Sequence, residues 1–265
     1  YLQKIPLTHQ QAQQITGLRV SPHYGASKIR WCLDNSDAAQ KALNENSLSV
    51  GPIVSFIFWH LLGQNNLVDP GHAQRTLLWN LHKNDWDERL LELFQISKSI
   101  LPECRYHNSC FGNLKLGSHS IPLTASARDQ GASLFAMGMP DASSCYVNIG
   151  TGAFIQRVSN ILHAPDGLLV SPLWIPQNSH SISECENTSA PCYLNDVAEK
   201  SWYAWEATVN GAASAIAYIQ EQTGLDVSPE QIELALQQNL EREAYFLNAV
   251  GGLSAPYWRT DLQSQ

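Results

Sequence analysis

The sequence predicts an α/β fold made of parts of two domains, and three observations carry that prediction. The N-terminal half holds segments whose apolar residues recur at helical spacing, such as Asp87 to Phe94 (D-E-R-L-L-E-L-F). From Phe111 the texture changes, with Gly112, Gly117 and Pro122 punctuating short extended runs and further strand-like segments following Pro140. The composition, 44% hydrophobic and 15% charged over 265 residues, suits a chain that buries a sizeable core. Helices and strands mixed along one chain give the α/β class. The best division is into residues 1–140 and 141–265, with the break expected near 138–143.

In chain order, Thr8 to Thr16 reads as a short helix. Ser27 is a plausible N-cap for a helix to Leu33, with Ile29, Cys32 and Leu33 on one face toward a core. Ser36 caps a helix over Ala38 to Asn44. Val50 to Leu62 reads as a mostly buried helix. Asp87 stands near the start of the amphipathic helix that runs to Phe94, and Pro102 closes that unit. Leu123 to Ala127 reads as extended, with Asp129 capping a helix over Gln130 to Met137. Strands are expected at Cys145 to Ile149, Ala153 to Val158 and Leu168 to Leu173. Trp205 to Ile219 is rich in small residues and helical in its second half. Ser228-Pro229-Glu230-Gln231 reads as a capping box opening a helix over Ile232 to Gln238. Gly251 to Trp258 is a Gly- and Pro-containing loop.

The net charge of −8 and pI near 5.5 argue against a nucleic-acid or anionic-membrane surface, which needs clustered Lys and Arg. A small anion is still allowed, because a helix N-terminus or glycine turn holds one without net positive charge. No apolar run approaches the roughly 18 residues of a membrane span. No secretory signal is visible, and a cytoplasmic location is expected. The six cysteines (Cys32, Cys104, Cys110, Cys145, Cys185 and Cys192) form no C-x-x-C pair and read as scattered reduced thiols. His180, Cys185 and Cys192 match no zinc spacing, and the sequon at Asn187 to Ser189 reads as chance.

Two constellations carry chemistry. Asp129, between an extended run and small helix formers, either only caps the helix or acts as a general base toward a hydroxyl; Arg128 is a candidate charge partner. Gly150-Thr151-Gly152 is either an ordinary hairpin turn or an anion nest of backbone N–H groups and one hydroxyl. Together they suggest phosphoryl transfer to an alcohol. Phe154 is most simply a core aromatic. Trp174, Trp202 and Trp205 fit a core or a sugar-binding wall, the core being favoured.

Several segments resemble, in order, those of the FGGY carbohydrate kinases: G-L-R-V-S-P-H-Y-G-A-S-K-I-R-W-C-L-D-N (17–35), D-P-G-H-A-Q-R-T-L-L (69–78), L-P-E-C-R (101–105), R-D-Q-G-A-S-L-F (128–135), N-I-G-T-G-A-F (148–154) and G-L-S-A-P-Y-W (252–258). The resemblance implies an actin-like ATPase, ribonuclease-H-like fold, with parts of two domains flanking a cleft for ATP, Mg²⁺ and a sugar or polyol. It implies that Asp129 is the catalytic base, with Gln130 beside it at the substrate. It implies that Gly150, Thr151 and Gly152 touch ATP phosphates, that Phe154 packs on the substrate, and that Gly211 approaches the nucleotide. His23 falls where glycerol kinase has a substrate-contacting tyrosine. No metal ligand is assigned. A homodimer is a possible assembly.

Departures from the family pattern also carry expectations. His23 and Gly25 break the first segment, Arg128 replaces a common glycine, and Ala207 follows Glu206 where Glu-Gly is usual. His23 predicts a substrate other than glycerol. The chain begins at Tyr1 and lacks the family's D-x-G-T phosphate loop and its glycine-rich adenine site, so it is expected to be the central portion of a longer kinase. These residues alone are then expected to be inactive. The rival is a catalytically inactive sugar-binding or regulatory module of the same fold. A different actin-like ATPase is less favoured.

Overall fold

The computed structural model describes residues 1–63, 66–177, 200–225, 227–237 and 246–262. His180, Cys185, Cys192 and the sequon lie outside the described residues. Contacts divide the chain into two units. The first comprises Tyr1–Asp141, Val158–His163 and Leu169–Ala204; the second comprises Ala142–Arg157, Ala164–Leu168 and Trp205–Gln265. No helix among the described residues is long and apolar enough to cross a membrane.

The first helices follow from their caps. In α1 (His9–Thr16) the Thr8 hydroxyl accepts the Gln11 N–H while Gln11 accepts the Thr8 N–H, a reciprocal capping box. Helix α2 (Gly25–Asn35) starts earlier than its sequence suggests, with Tyr24 rather than Ser27 at the N-cap. The physical reason is tertiary. The Gly25 and Ala26 N–H groups donate to the carbonyls of Arg75 and Thr76, so the first turn needs no serine cap. On its expected inner face, Leu33 is buried but Cys32 is exposed. Ser36 caps α3 (Asp37–Asn44), its Oγ accepting the Ala39 N–H.

Helix α4 (Ile53–Leu61) corrects the expectation of a mostly buried helix. Ile53, Phe56, Ile57, Trp59 and Leu61 are exposed, while Ser55 and Phe58 are its buried residues. Only the Phe58 side meets a core, formed with Leu62, Leu67 and Phe111, and the Phe58 and Phe111 rings lie 5.1 Å apart. An apolar sequence all round the helix therefore exceeds the one face that its contacts cover.

Strand β1 (Leu67–Val68) leads through Asp69 into α5 (Pro70–Gln74). Strands β2 (Trp79–Asn80) and β3 (Asp85–Trp86) pair antiparallel, and the Trp79 and Trp86 rings meet edge to face at 5.3 Å. Asp87 caps α6 (Glu88–Phe94), which buries Leu90, Leu91 and Phe94. Strand β4 (Glu103–Cys104) returns parallel to β1. Strands β5 (Gly112–Leu116) and β6 (His119–Leu123) form a hairpin, as the glycine punctuation predicts. Helix α7 (Asp129–Ser133) follows.

The largest sheet has the order β7–β8–β10–β9, from β7 (Cys145–Ile149), β8 (Ala153–Ser159), β9 (Leu169–Trp174) and β10 (Trp202–Val209). Strand β10 was missed in the sequence. Its alanines resemble a helical run, but Trp202, Tyr203, Trp205, Thr208 and Val209 suit a pleated, half-buried surface and the sheet supplies the pairing. Helix α8 (Ala213–Thr223) follows, and α9 (Pro229–Leu236) has Ser228 at its N-cap and Pro229 at N1. It opens three residues before the expected Ile232, and Ser228 makes no side-chain cap bond. Cys110 is disulfide-bonded, which corrects the expectation of uniformly reduced thiols; Cys32, Cys104 and Cys145 are free.

Candidate functional site

The expected site residues fall in both units, and each unit positions its own set. In the first, Asp129 is exposed at the start of α7. It is not the N-cap: Arg128 holds that position, and Asp129 is the first helical residue. Its Oδ1 accepts the N–H of Gln130 at 2.7 Å. Oδ2 has no hydrogen-bond partner among the described residues. The carboxylate thus sits at the positive end of a short helix with one oxygen free to accept a proton. Gln130 is half-buried. The helix continues through Ala132, whose N–H donates to the Arg128 carbonyl at 2.7 Å.

The segment before Asp129 is tied to a buried cluster that the sequence motifs did not mark as a site. Asp69 is fully buried at the N-cap of α5. Its Oδ1 accepts the His72 N–H at 3.1 Å, and its Oδ2 accepts both His72 Nδ1–H and Ser126 Oγ–H at 2.6 Å. His107 Nε2 lies 3.8 Å from Asp69 Oδ1. The His107 imidazole is fixed on its other side, where Nδ1 accepts the Ile175 N–H at 2.9 Å. Burial alone would raise the Asp69 carboxyl, but the His72 hydrogen bond, the His72 and His107 charges and the Ser126 hydroxyl hold it well below the usual carboxylate range. Burial pushes the His107 imidazole down, against the pull of Asp69. The available sequence signal was Asp-Pro ahead of a helix, which marks an N-cap with Pro at N1.

His23 stands just before α2 with an exposed side chain. Its backbone is held by its N–H donating to Ser21 Oγ at 3.2 Å and by Lys28 Nζ donating to its carbonyl at 2.8 Å. No hydrogen bond joins it to Asp129 or Gln130.

In the second unit, Gly150, Thr151 and Gly152 form the turn of the β7–β8 hairpin, between the paired residues Ile149 and Ala153. The turn rests on the N-terminus of α8. Thr151 carbonyl oxygen accepts the N–H groups of Ala212 (2.8 Å) and Ser214 (3.2 Å) and the Ser214 hydroxyl (2.9 Å), while the Gly150 carbonyl accepts the Ala213 N–H at 3.0 Å. The Gly150 N–H turns inward to the Gly152 carbonyl at 2.8 Å. That amide is spent, so an anion would meet the amides of Thr151 and Gly152 and the exposed Thr151 hydroxyl, which has no hydrogen-bond partner among the described residues. Glycine is required at 152 because a Cβ there would lie 2.8 Å from the Val209 carbonyl oxygen.

Gly211 is buried beside this turn, and its carbonyl accepts Asn248 Nδ2–H at 2.6 Å. A Cβ at Gly211 would stand 2.7 Å from Val250 Cβ, so close packing by itself accounts for a glycine there. Asn210 next to it organises the C-terminal loop, donating to the Gly251 carbonyl at 2.8 Å and accepting the Ser254 hydroxyl at 2.5 Å. Phe154 lies on β8 opposite Asn148. By strand alternation it shares a face with the buried Gln156 and Val158, a packing position. Gln156 Nε2 donates to the buried Glu206 at 2.9 Å. Trp174, Trp202 and Trp205 are all half-buried.

The family model for the FGGY family of carbohydrate kinases, N-terminal domain, matches residues 1–136. Glycerol kinase 1 of Thermotoga maritima is 32% identical over 259 residues, covering 94% of this chain and 48% of that protein. Among solved structures, Plasmodium falciparum glycerol kinase with ADP aligns with a TM-score of 0.80 at 22% identity, over 98% of this chain and 49% of that one. The ligand-bound xylulose kinase of Lactobacillus acidophilus aligns with a TM-score of 0.70, also at 22% identity, over 97% of this chain and 49% of that one. The chain thus spans about half the length of the relatives it matches. The α/β architecture is that of these kinases, the actin-like, ribonuclease-H-like fold. With the family model covering half of its residues, the chain belongs to the FGGY family of carbohydrate kinases.

Proposed function

We propose that the intact protein transfers the γ-phosphoryl group of ATP to a hydroxyl of a sugar or polyol other than glycerol, with Asp129 as general base. The observation that carries this reading is the exposed Asp129 carboxylate at the start of α7, with Oδ2 free to receive a proton. As the acceptor oxygen attacks phosphorus, its proton passes to the Asp129 carboxylate. Gln130 is the further substrate contact of this reading, and His23 is its specificity position.

The Gly150–Gly152 turn suits a phosphate through the Thr151 and Gly152 amides and the Thr151 hydroxyl, backed by the N-terminus of α8. Gly211 supports this region by packing on Val250. When bound, ATP supplies the phosphoryl group and Mg²⁺ offsets its charge. Among the described residues no group of three His, Cys, Asp or Glu side chains is arranged to hold a metal ion, and no residue is assigned to Mg²⁺. Mg²⁺ is commonly held by phosphate oxygens with one or two carboxylates, so this assignment needs no protein cage.

The test is Asp129→Asn in the whole gene product. Turnover is expected to vanish while acceptor binding changes little, and retained turnover sinks the base assignment. A panel of polyols and ketoses reads the specificity, with glycerol as the reference acceptor because curated relatives carry that name. Best catalytic efficiency on glycerol would overturn the role given to His23. The second reading is an inactive sugar-binding module of the same fold. Calorimetric sugar binding by the whole gene product without ADP release would establish it.

A further inference from the structure

We infer that Asp69, acting through Ser126, is a positioning residue that holds the segment carrying Asp129 in place. This inference rests on the reading of Asp129 as the base. Ser126 lies three positions before Asp129, in the stretch between β6 and α7. Both of its hydrogen-bond donors are directed into the buried cluster. Its hydroxyl donates to Asp69 Oδ2 at 2.6 Å, and its N–H donates to the His107 carbonyl at 3.0 Å.

Each anchor is itself fixed from other parts of the chain. Asp69 is locked by two hydrogen bonds from His72 at the start of α5. His107 is clamped by a reciprocal pair with Ile175, its N–H donating to the Ile175 carbonyl at 3.0 Å and its Nδ1 accepting the Ile175 N–H at 2.9 Å. Neither anchor can shift without breaking buried hydrogen bonds, each costly to leave unmade. The stiffness is therefore passed to residues 126–129, which would otherwise be a short connecting segment free to move.

An exposed base needs such a support. A general base must stay within hydrogen-bond reach of the proton it takes, and a misplacement of about 1 Å can cost on the order of 100-fold in rate. Asp129 has one hydrogen bond to its own neighbour, Gln130, so its side chain does not fix the backbone beneath it. The tether at Ser126 does. The carboxylate at Asp69 suits the task because it accepts three donors and offers Ser126 a charge-assisted bond, stronger than a neutral one.

The experiment compares Ser126→Ala, Ser126→Thr and Asp129→Asn in the whole gene product, by steady-state kinetics and by amide hydrogen exchange over residues 126–131. For Ser126→Ala, kcat is expected to fall about 10- to 100-fold with the nucleotide KM unchanged, and exchange at residues 127–131 to accelerate. Ser126→Thr, which keeps the hydroxyl, is expected to restore both. Unchanged exchange in Ser126→Ala overturns the inference, as does faster exchange with wild-type kcat while Asp129→Asn is dead. If Asp129→Asn keeps full turnover, the base assignment fails by itself, and the exchange measurement still decides the tether.

Discussion

At Gly211 the side chain that is missing matters more than any that is present. A Cβ there would approach Val250 Cβ to 2.7 Å. Gly211→Ala is expected to cost about 1–3 kcal/mol by overpacking. Thermal melts check this. His107 gives the chain a pH dependence whose sign follows from burial. Its folded imidazole is held below its ordinary value, so below about pH 6.5 the unfolded chain binds the extra proton. Stability should therefore fall as pH drops from about 6.5 toward the folded value, by up to about 1.4 kcal/mol per pH unit. Asp69, with its carboxyl held low, contributes stability that is present above about pH 3.9 and lost as pH falls through its folded value. In His107→Gln the slope just below about pH 6.5 should flatten; melting temperatures between about pH 5 and 7.5 decide it.

Among the elements, those legible in the sequence are the ones governed by local bonds. Thr8, Ser36 and Asp87 were readable as helix starts because a side-chain oxygen and an amide a few residues on form the cap by themselves. Asp87 also accepts Asn80 Nδ2–H at 2.7 Å inside the core. Asp87→Ala is therefore expected to cost about 1–3 kcal/mol, more than a surface cap, and to lower the urea midpoint accordingly. The elements misread were those whose boundary another segment decides. Helix α2 starts at Gly25 because the carbonyls of Arg75 and Thr76 take its first amides. Strand β10 exists because β8 and β9 flank it. Helix α4 shows the limit of composition: it is apolar on every side, yet Ile53 is 70% and Phe56 61% exposed, because covering a helix takes neighbours on every face.

For the whole molecule, the match over half the length of its relatives separates membership of the family from activity. Ordered motifs from residue 17 to residue 258 pointed to the FGGY kinases, and the family model bears that out over residues 1–136. The disulfide at Cys110 stands against reading all six cysteines as reduced thiols. Thr151→Ala is expected to weaken nucleotide binding in the whole gene product while leaving acceptor binding unchanged; equal nucleotide affinity by calorimetry would remove the turn from the site. By itself the sequence determined the fold class, the family, the position of Asp129 at a helix start and the Gly-Thr-Gly turn, since each is carried by residues adjacent in the chain. The tertiary structure alone decided that the Gly150 amide is spent within the turn and that Gly211 packs on Val250. It alone decided that Asp69 reaches Ser126 across 57 positions of sequence. Those facts depend on which distant backbone atoms fill the remaining hydrogen bonds and volume, and local sequence does not encode that.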